Sequence, residues 1–406
     1  MNLMRLGVLC VCALFGPLLS DLTDLARAAT LEDAGGGALT APVVQGNYFY
    51  IGTGTTLAVW DMTDPLHPAL AGRTRSAPAP GPIRALTKVG GYLYAGWNSS
   101  SGIGGLIVYS LADPAHPAVA ATIDRYVDAD YRDPHGLAVS GHYVLVGDNA
   151  NGLVVLDATD PLQPSFVTQD FNVTAFDSMT LSGSQLFAYG NSFIGTVIGA
   201  YDVSDPAAPV YESQLGLSLD DGVFRALLTD GYAIGIGTSF VVYDLADPMD
   251  IKSIASVPMD PATNAVRAGN TVYVFGATGI QVWDFSTPAS PALVRTVDVG
   301  DAVFNTDQTA STPFGPMVLT HTDRAFLIGT ADPQNPTLAA SLTIPFGVGA
   351  YSAGFDAGHV YFAEDSYGLA AADRATNAPI GRLDVALDPI PAARAFEDVS
   401  VVGGRA

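Results

Sequence analysis

The 406-residue chain is 49% hydrophobic and only 14% charged, and its 43 glycines and 27 prolines are spread along its length. Its formal charge of −23, with lysine only at Lys88 and Lys252, argues against nucleic-acid or anionic-lipid partners, which need clustered cations. Both cysteines, Cys10 and Cys12, lie in the first apolar segment, so the rest of the chain has neither a disulfide nor thiol chemistry.

Residues 1–28 read as a secretion signal. Arg5 supplies the positive start, "LGVLCVCALFGPLLS" (6–20) the apolar core, and "ARA" (26–28) a small-x-small cleavage site. The apolar run is short for a membrane span of about 20 residues. The expectation is a secreted, periplasmic or surface chain with no transmembrane span in its mature form. Residues 29–35 form a short linker, and residues 36–393 carry a repeat.

The repeat unit is an apolar run, an acid and a proline turn. It appears as "TLAVWDMTDPLHP" (56–68), "GLIVYSLADPAHP" (105–117), "GLVVLDATDPLQP" (152–164) and "VIGAYDVSDPAAP" (197–209). It continues as "SFVVYDLADPMD" (239–250), "GIQVWDFSTPASP" (279–291), "AFLIGTADPQNP" (325–336) and a worn copy, "GLAAADRATNAP" (368–379). A period of roughly 45 residues is the size of a four-stranded propeller blade. The third unit shows the parse. "HGLAVSG" (135–141) and "HYVLVGD" (142–148) are the first two strands, "NANG" (149–152) is a tight turn, "LVVLD" (153–157) is the third strand and "SFVTQDF" (165–171) the outer one. The fold class is all-β: a β-propeller of four-stranded blades, eight by count of units, with seven as the alternative. In each turn the acid before proline is expected to accept hydrogen bonds from nearby amides, and the proline to pre-set φ. Trp60 and Trp283, at third-strand ends, are expected to pack between blades.

The string "LVVLDATDP" resembles the repeat that names the LVIVD family, and the resemblance extends over about residues 36–384. It implies a β-propeller on a secreted or cell-surface protein and carries over no catalytic residue. Unit seven departs from the pattern by lacking the strand-end aspartate, and unit eight by lacking the Asp-Pro pair. The last segment, 394–406, contains "RAFEDVSVVGG", an extra first strand. It either closes the ring or begins a further unit of a longer protein.

Aligning the first strands on their shared glycine isolates a polar column: Thr40, Arg84, His135, Asp177, Arg225, Thr263, Ser352 and Glu397. First strands are innermost in a propeller, so the column is expected to ring one mouth of the central channel. Arg84, His135, Asp177, Arg225 and Glu397 form the candidate ligand site. The two arginines would hold a carboxylate or sulfate, and His135 would serve as acid or base. The alternative is that these groups bind water or one another. A second candidate is the acidic loop "DRYVDADYRDPHG" (124–136), where Asp124, Asp128, Asp130 and Asp133 would hold Ca²⁺, the one cofactor suggested. Its spacing departs from the EF-hand pattern, and a solvated loop is the alternative. The chain has no Gly-x-Ser-x-Gly elbow, phosphate-binding glycine loop or zinc-protease helix. The expectation is a non-catalytic scaffold that binds an extracellular protein or glycan. A hydrolase or lyase using the channel mouth, and a structural module of a longer surface protein, are the alternatives.

Overall fold

The computed structural model describes residue 40 and residues 42–383, with short breaks at 75–80, 100–102, 218–221, 230, 277, 300–305, 313–314, 321–323, 344–351, 356–358, 365–367 and 374–378. The signal segment, the extra C-terminal strand and Glu397 lie outside the described residues. All regular structure among the described residues is β. The strands form eight four-stranded antiparallel sheets, each in simple sequential order. No helix among the described residues is long and apolar enough to cross a membrane.

The first sheet sets the pattern: β1 (Val43–Gln45), β2 (Tyr48–Thr53), β3 (Thr56–Asp61) and β4 (Ala69–Arg73). The third unit repeats it with β9 (Pro134–Ser140), β10 (Tyr143–Asp148), β11 (Gly152–Asp157) and β12 (Ser165–Asp170), within a residue or two of the sequence parse. The continuous apolar run of each third strand has a direct physical reason. In β11, Leu153 and Val155 pack toward the fourth sheet, against Phe176, Leu186 and Val197. Val154 and Leu156 point the other way, into the second sheet's Tyr94, Leu106 and Val108. Side chains alternate faces along a strand, and here both faces are covered by a neighbouring blade. Each such side chain contributes about 1.5–3 kcal/mol on full burial.

Six sheets, spanning residues 43–297, are described to their side chains and stack as blades in this way. The expectation of eight blades, or seven, is met only in part: six sheets stack as regular blades, and the seventh is anchored between the sixth and the first. The two later sheets are described chiefly by their strand pairing. They are the units whose repeat phrase is worn: in unit seven the third strand, β27 (Arg324–Gly329), ends in Gly329, where five of the six earlier blades have an aspartate and the second has Ser110. Two side chains of β27 are nonetheless anchored. Ile328 packs on the sixth blade beside Tyr273 and Phe275, and Leu327 packs on the first beside Phe49 and Trp60.

The recurrent phrase is scaffold. Its strand-end aspartate accepts the amide two residues on, as in Asp61 from Thr63 (2.8 Å), Asp157 from Thr159 (2.8 Å) and Asp284 from Ser286 (2.8 Å). The aspartate before proline does the same, as in Asp64 from Leu66 (3.1 Å) and Asp160 from Leu162 (3.0 Å). The proline carbonyl then receives a hydroxyl from the preceding blade. Tyr50 donates to Pro114 O (2.9 Å), Tyr94 to Pro161 O (2.5 Å) and Tyr273 to Pro333 O (3.2 Å). These three turns are thereby latched to the preceding blade. Trp283 is fully buried and stacks on Phe240 of the adjacent blade at 4.4 Å, and Trp60 is buried in the first blade's core.

Candidate functional site

Four members of the polar column, Arg84, His135, Asp177 and Thr263, prove to sit on β-bulges, whereas Ser352 is paired with Ala363 and Thr40 is buried ahead of β1. In each of the second to seventh sheets the innermost strand skips one residue against its partner, at Arg84, His135, Asp177, Phe224, Thr263 and Asp307. A bulge leaves the extra residue outside the ladder and re-aims its side chain. This recurrence at the start of the innermost strand puts polar groups at the channel mouth.

One member of the expected column is corrected. Arg225 does not occupy the bulge of its blade; Phe224 does. The cause lies in the hairpin that follows. Most first hairpins put glycine at the first turn position in a left-handed conformation, as at Gly141 (φ 63°) and Gly183 (φ 60°). In the fifth blade, Thr229 pairs with Tyr232 across Asp230-Gly231, so glycine stands second (φ 72°). Counting six residues back from glycine therefore stops one residue short of the bulge.

The structure brings Asp177 and Arg225 together. Both line a cavity of about 170 Å³ on the channel side, built from β13 (Ala175–Ser182), β14 (Gln185–Ser192), β17 (Val223–Thr229), β21 (Ala262–Ala268) and β25 (Thr306–Thr312). Tyr189 stands in its wall and donates its hydroxyl to Phe224 O at 3.1 Å. Burial pushes the Tyr189 hydroxyl pKa up to about 12; the Asp177 charge adds to the rise and Arg225 opposes it. At the far wall Thr309 Oγ1 donates to Ala265 O at 2.5 Å. Asn264 is buried and accepts the Ala265 amide at 2.9 Å. The Ser178 hydroxyl is buried in the lining without a hydrogen-bond partner. Arg84 and His135 do not line this cavity. His135 Nε2 lies 3.0 Å from Asp133 Oδ1.

The acidic loop is organised by a residue that the sequence reading passed over. Asp124, Asp128 and Asp130 are exposed, and Asp128 pairs with Arg125 at 2.7 Å. Among the described residues no group of three or more His, Cys, Asp or Glu is placed to hold a metal ion. The loop instead closes over the fully buried carboxylate of Asp148. Asp148 accepts the Tyr126 hydroxyl, the Asp133 amide (3.0 Å), the Ala150 and Asn151 amides (both 2.8 Å) and the Asn151 side chain (3.0 Å). Buried Arg132 completes the loop by donating to Gly104 O (2.9 Å) and Ala129 O. Burial and the Asp148 charge raise the Tyr126 pKa strongly, so its proton stays on the phenol. The only sequence sign of this network was the greater length of the unit.

Fold and site together define a β-propeller built of four-stranded antiparallel blades, with a polar channel mouth. Two stretches of the chain, residues 41–75 and 132–169, match the family model described as the LVIVD repeat. No curated protein matches the chain in sequence. Among solved structures it is similar to a protein from Lactobacillus plantarum (16% identity, 74% of this chain and 94% of that one, TM-score 0.56). A putative 6-phosphogluconolactonase from Bacteroides fragilis is similar at 12% identity (76% and 94% covered, TM-score 0.55). The computationally designed Ika8 protein is similar at 11% identity (80% and 93% covered, TM-score 0.53). At these identities the likeness concerns the fold alone.

Proposed function

We propose that the protein is a non-catalytic binding scaffold that works outside the cytoplasm and engages a partner protein through the channel-mouth end of its propeller. The observation that carries this reading is where the large exposed apolar side chains lie. Antiparallel order puts the hairpins between second and third strands, and the links between blades, at the same end as the bulges. Ile103, Tyr131, Phe171, Phe193, Ile194 and Phe224 are all exposed there, over four consecutive blades. Phe193 is 87% exposed and Tyr131 66%. The opposite end carries Leu66 and Met249 in its proline turns and Val119, Phe166, Val210 and Leu293 near the starts of the outer strands, so of the five exposed aromatic rings described only Phe166 lies there. Exposed aromatic groups concentrated on one surface are the signature of a recognition face. With a chain charge of −23, the matching partner surface is an apolar patch with a basic rim.

The extracellular placement is supported by the signal-like residues 1–28. The non-catalytic reading is supported by the separation of the only histidine in the polar column, His135, from the cavity that holds Arg225. The test compares Phe193→Ser with Phe224→Ser, against Leu66→Ser with Met249→Ser, for association with the partner on the producing cell. Loss in the first pair alone supports the reading; equal loss in both pairs, or loss in neither, contradicts it. If glycan removal, rather than protein digestion of the cell surface, abolishes association, the partner is a glycan and the protein-partner reading is wrong.

A further inference from the structure

The cavity at Asp177 and Arg225 is distinct in chemistry from the apolar face around it. Its volume of about 170 Å³ is below the range of about 300–1,000 Å³ typical of drug-sized pockets, so it suits a ligand of few atoms. Its wall offers one cation and one anion. These charges form no ion pair with each other or with any other described residue. They nevertheless stand close enough to act in opposite senses on the same Tyr189 hydroxyl. The Ser178 hydroxyl is buried without a partner, and such a group is unfavourable unless something bonds it. Between these polar groups the lining is apolar, with Met179 and Leu227.

We infer that this cavity is a binding site for a small zwitterion of amino-acid type, with the ligand carboxylate on Arg225 and its ammonium on Asp177. The guanidinium fork matches a carboxylate in two parallel hydrogen bonds, and the Asp177 carboxylate accepts from an ammonium. Ser178 bonds the carboxylate from the side, and Met179 and Leu227 receive an aliphatic side chain. The cavity opens within the end proposed for the partner protein but uses different groups, so amino-acid binding without partner association, or the reverse, tells the two readings apart.

The experiment is isothermal titration of the whole protein with L-leucine and the other protein amino acids. Isoamylamine and isocaproate, which are leucine without its carboxylate and without its amine, serve as half-ligands. Saturable binding of at least one amino acid is expected, with each half-ligand weaker by roughly tenfold or more. Asp177→Asn and Arg225→Lys should each weaken binding by a similar factor, the lysine because it keeps charge and loses the fork. Leu66→Ser, at the opposite end, should leave binding unchanged. No saturable binding of any protein amino acid overturns the inference. So does a half-ligand that binds as well as the parent, or binding that survives both cavity substitutions. If either variant fails to fold, the half-ligand comparison on the unaltered protein still decides.

Discussion

Replacing Asp148 by alanine should be among the most destabilising changes available in the third blade. The carboxylate is fully buried and accepts five hydrogen bonds. Two of its donors are side chains that are themselves buried, the Tyr126 hydroxyl and the Asn151 amide. A hydrogen bond to a charged group contributes about 1.5–3 kcal/mol, and a buried donor left unpaired costs about 1–3 kcal/mol. These terms overlap, so they are not added bond by bond; removal of one member of a buried charged network costs about 3–5 kcal/mol. Equilibrium unfolding in urea should show that loss. Limited proteolysis should show cleavage between Arg125 and Arg132, because the loop they bracket closes over this one carboxylate. Tyr126→Phe leaves four donors on Asp148 and should cost only about 0.5–1.5 kcal/mol. An Asp148→Ala protein within about 1 kcal/mol of the parent, with its loop still protected, would refute the claim that Asp148 organises the loop.

Three further outcomes follow from the blade contacts. Tyr94→Phe and Tyr50→Phe should each lose about 0.5–1.5 kcal/mol, and the double variant close to the sum, because they latch different pairs of blades; urea titration reads all three. Gly147→Ala should cost about 1–3 kcal/mol in the same assay, since its Cβ would stand 2.5 Å from Met179 Sδ and 2.6 Å from Phe176 Cγ of the next blade. Asp61, Asp64, Asp113, Asp157, Asp284 and Asp332 all have pKa values lowered from 3.8, chiefly by hydrogen bonds from nearby turn side chains and amides. A lowered carboxylate stabilises the fold above its unfolded pKa, and that support is lost as pH falls through the folded value. The unfolding midpoint should therefore change little from these groups between neutral pH and the ordinary carboxylate value and fall below it. A midpoint that rises on acidification contradicts this.

The scaffold was legible in the sequence because it is repeated. "LVVLD" has to be apolar throughout when both faces of its strand are covered, and the Asp-Pro turn has to follow when each third strand must reverse. Eight copies made both visible. The polar column was legible for the same reason, but its geometry was not: nothing in the residue types says that Arg84, His135 and Asp177 sit on bulges. Counting from glycine also failed where Asp230-Gly231 reverses the usual turn order. Asp148, Tyr126 and Arg132 went unseen because they act once. An acid that ends a second strand looks the same whether it caps a turn or lies buried beneath a loop, and only burial tells the two apart. The latches from Tyr50, Tyr94 and Tyr273 were hidden for another reason. They join residues roughly 60 positions apart, and period alone does not show which turn a hydroxyl meets.

The central claim is that one end of this propeller recognises a partner while the other end holds geometry. Photo-crosslinking residues placed singly at positions 193, 224, 66 and 249 of the full chain, and activated on the producing cell, test it most directly. The account predicts a discrete adduct with one protein from positions 193 and 224 and none from 66 and 249. Adducts from 66 and 249 alone, or the same pattern at all four positions, would contradict it.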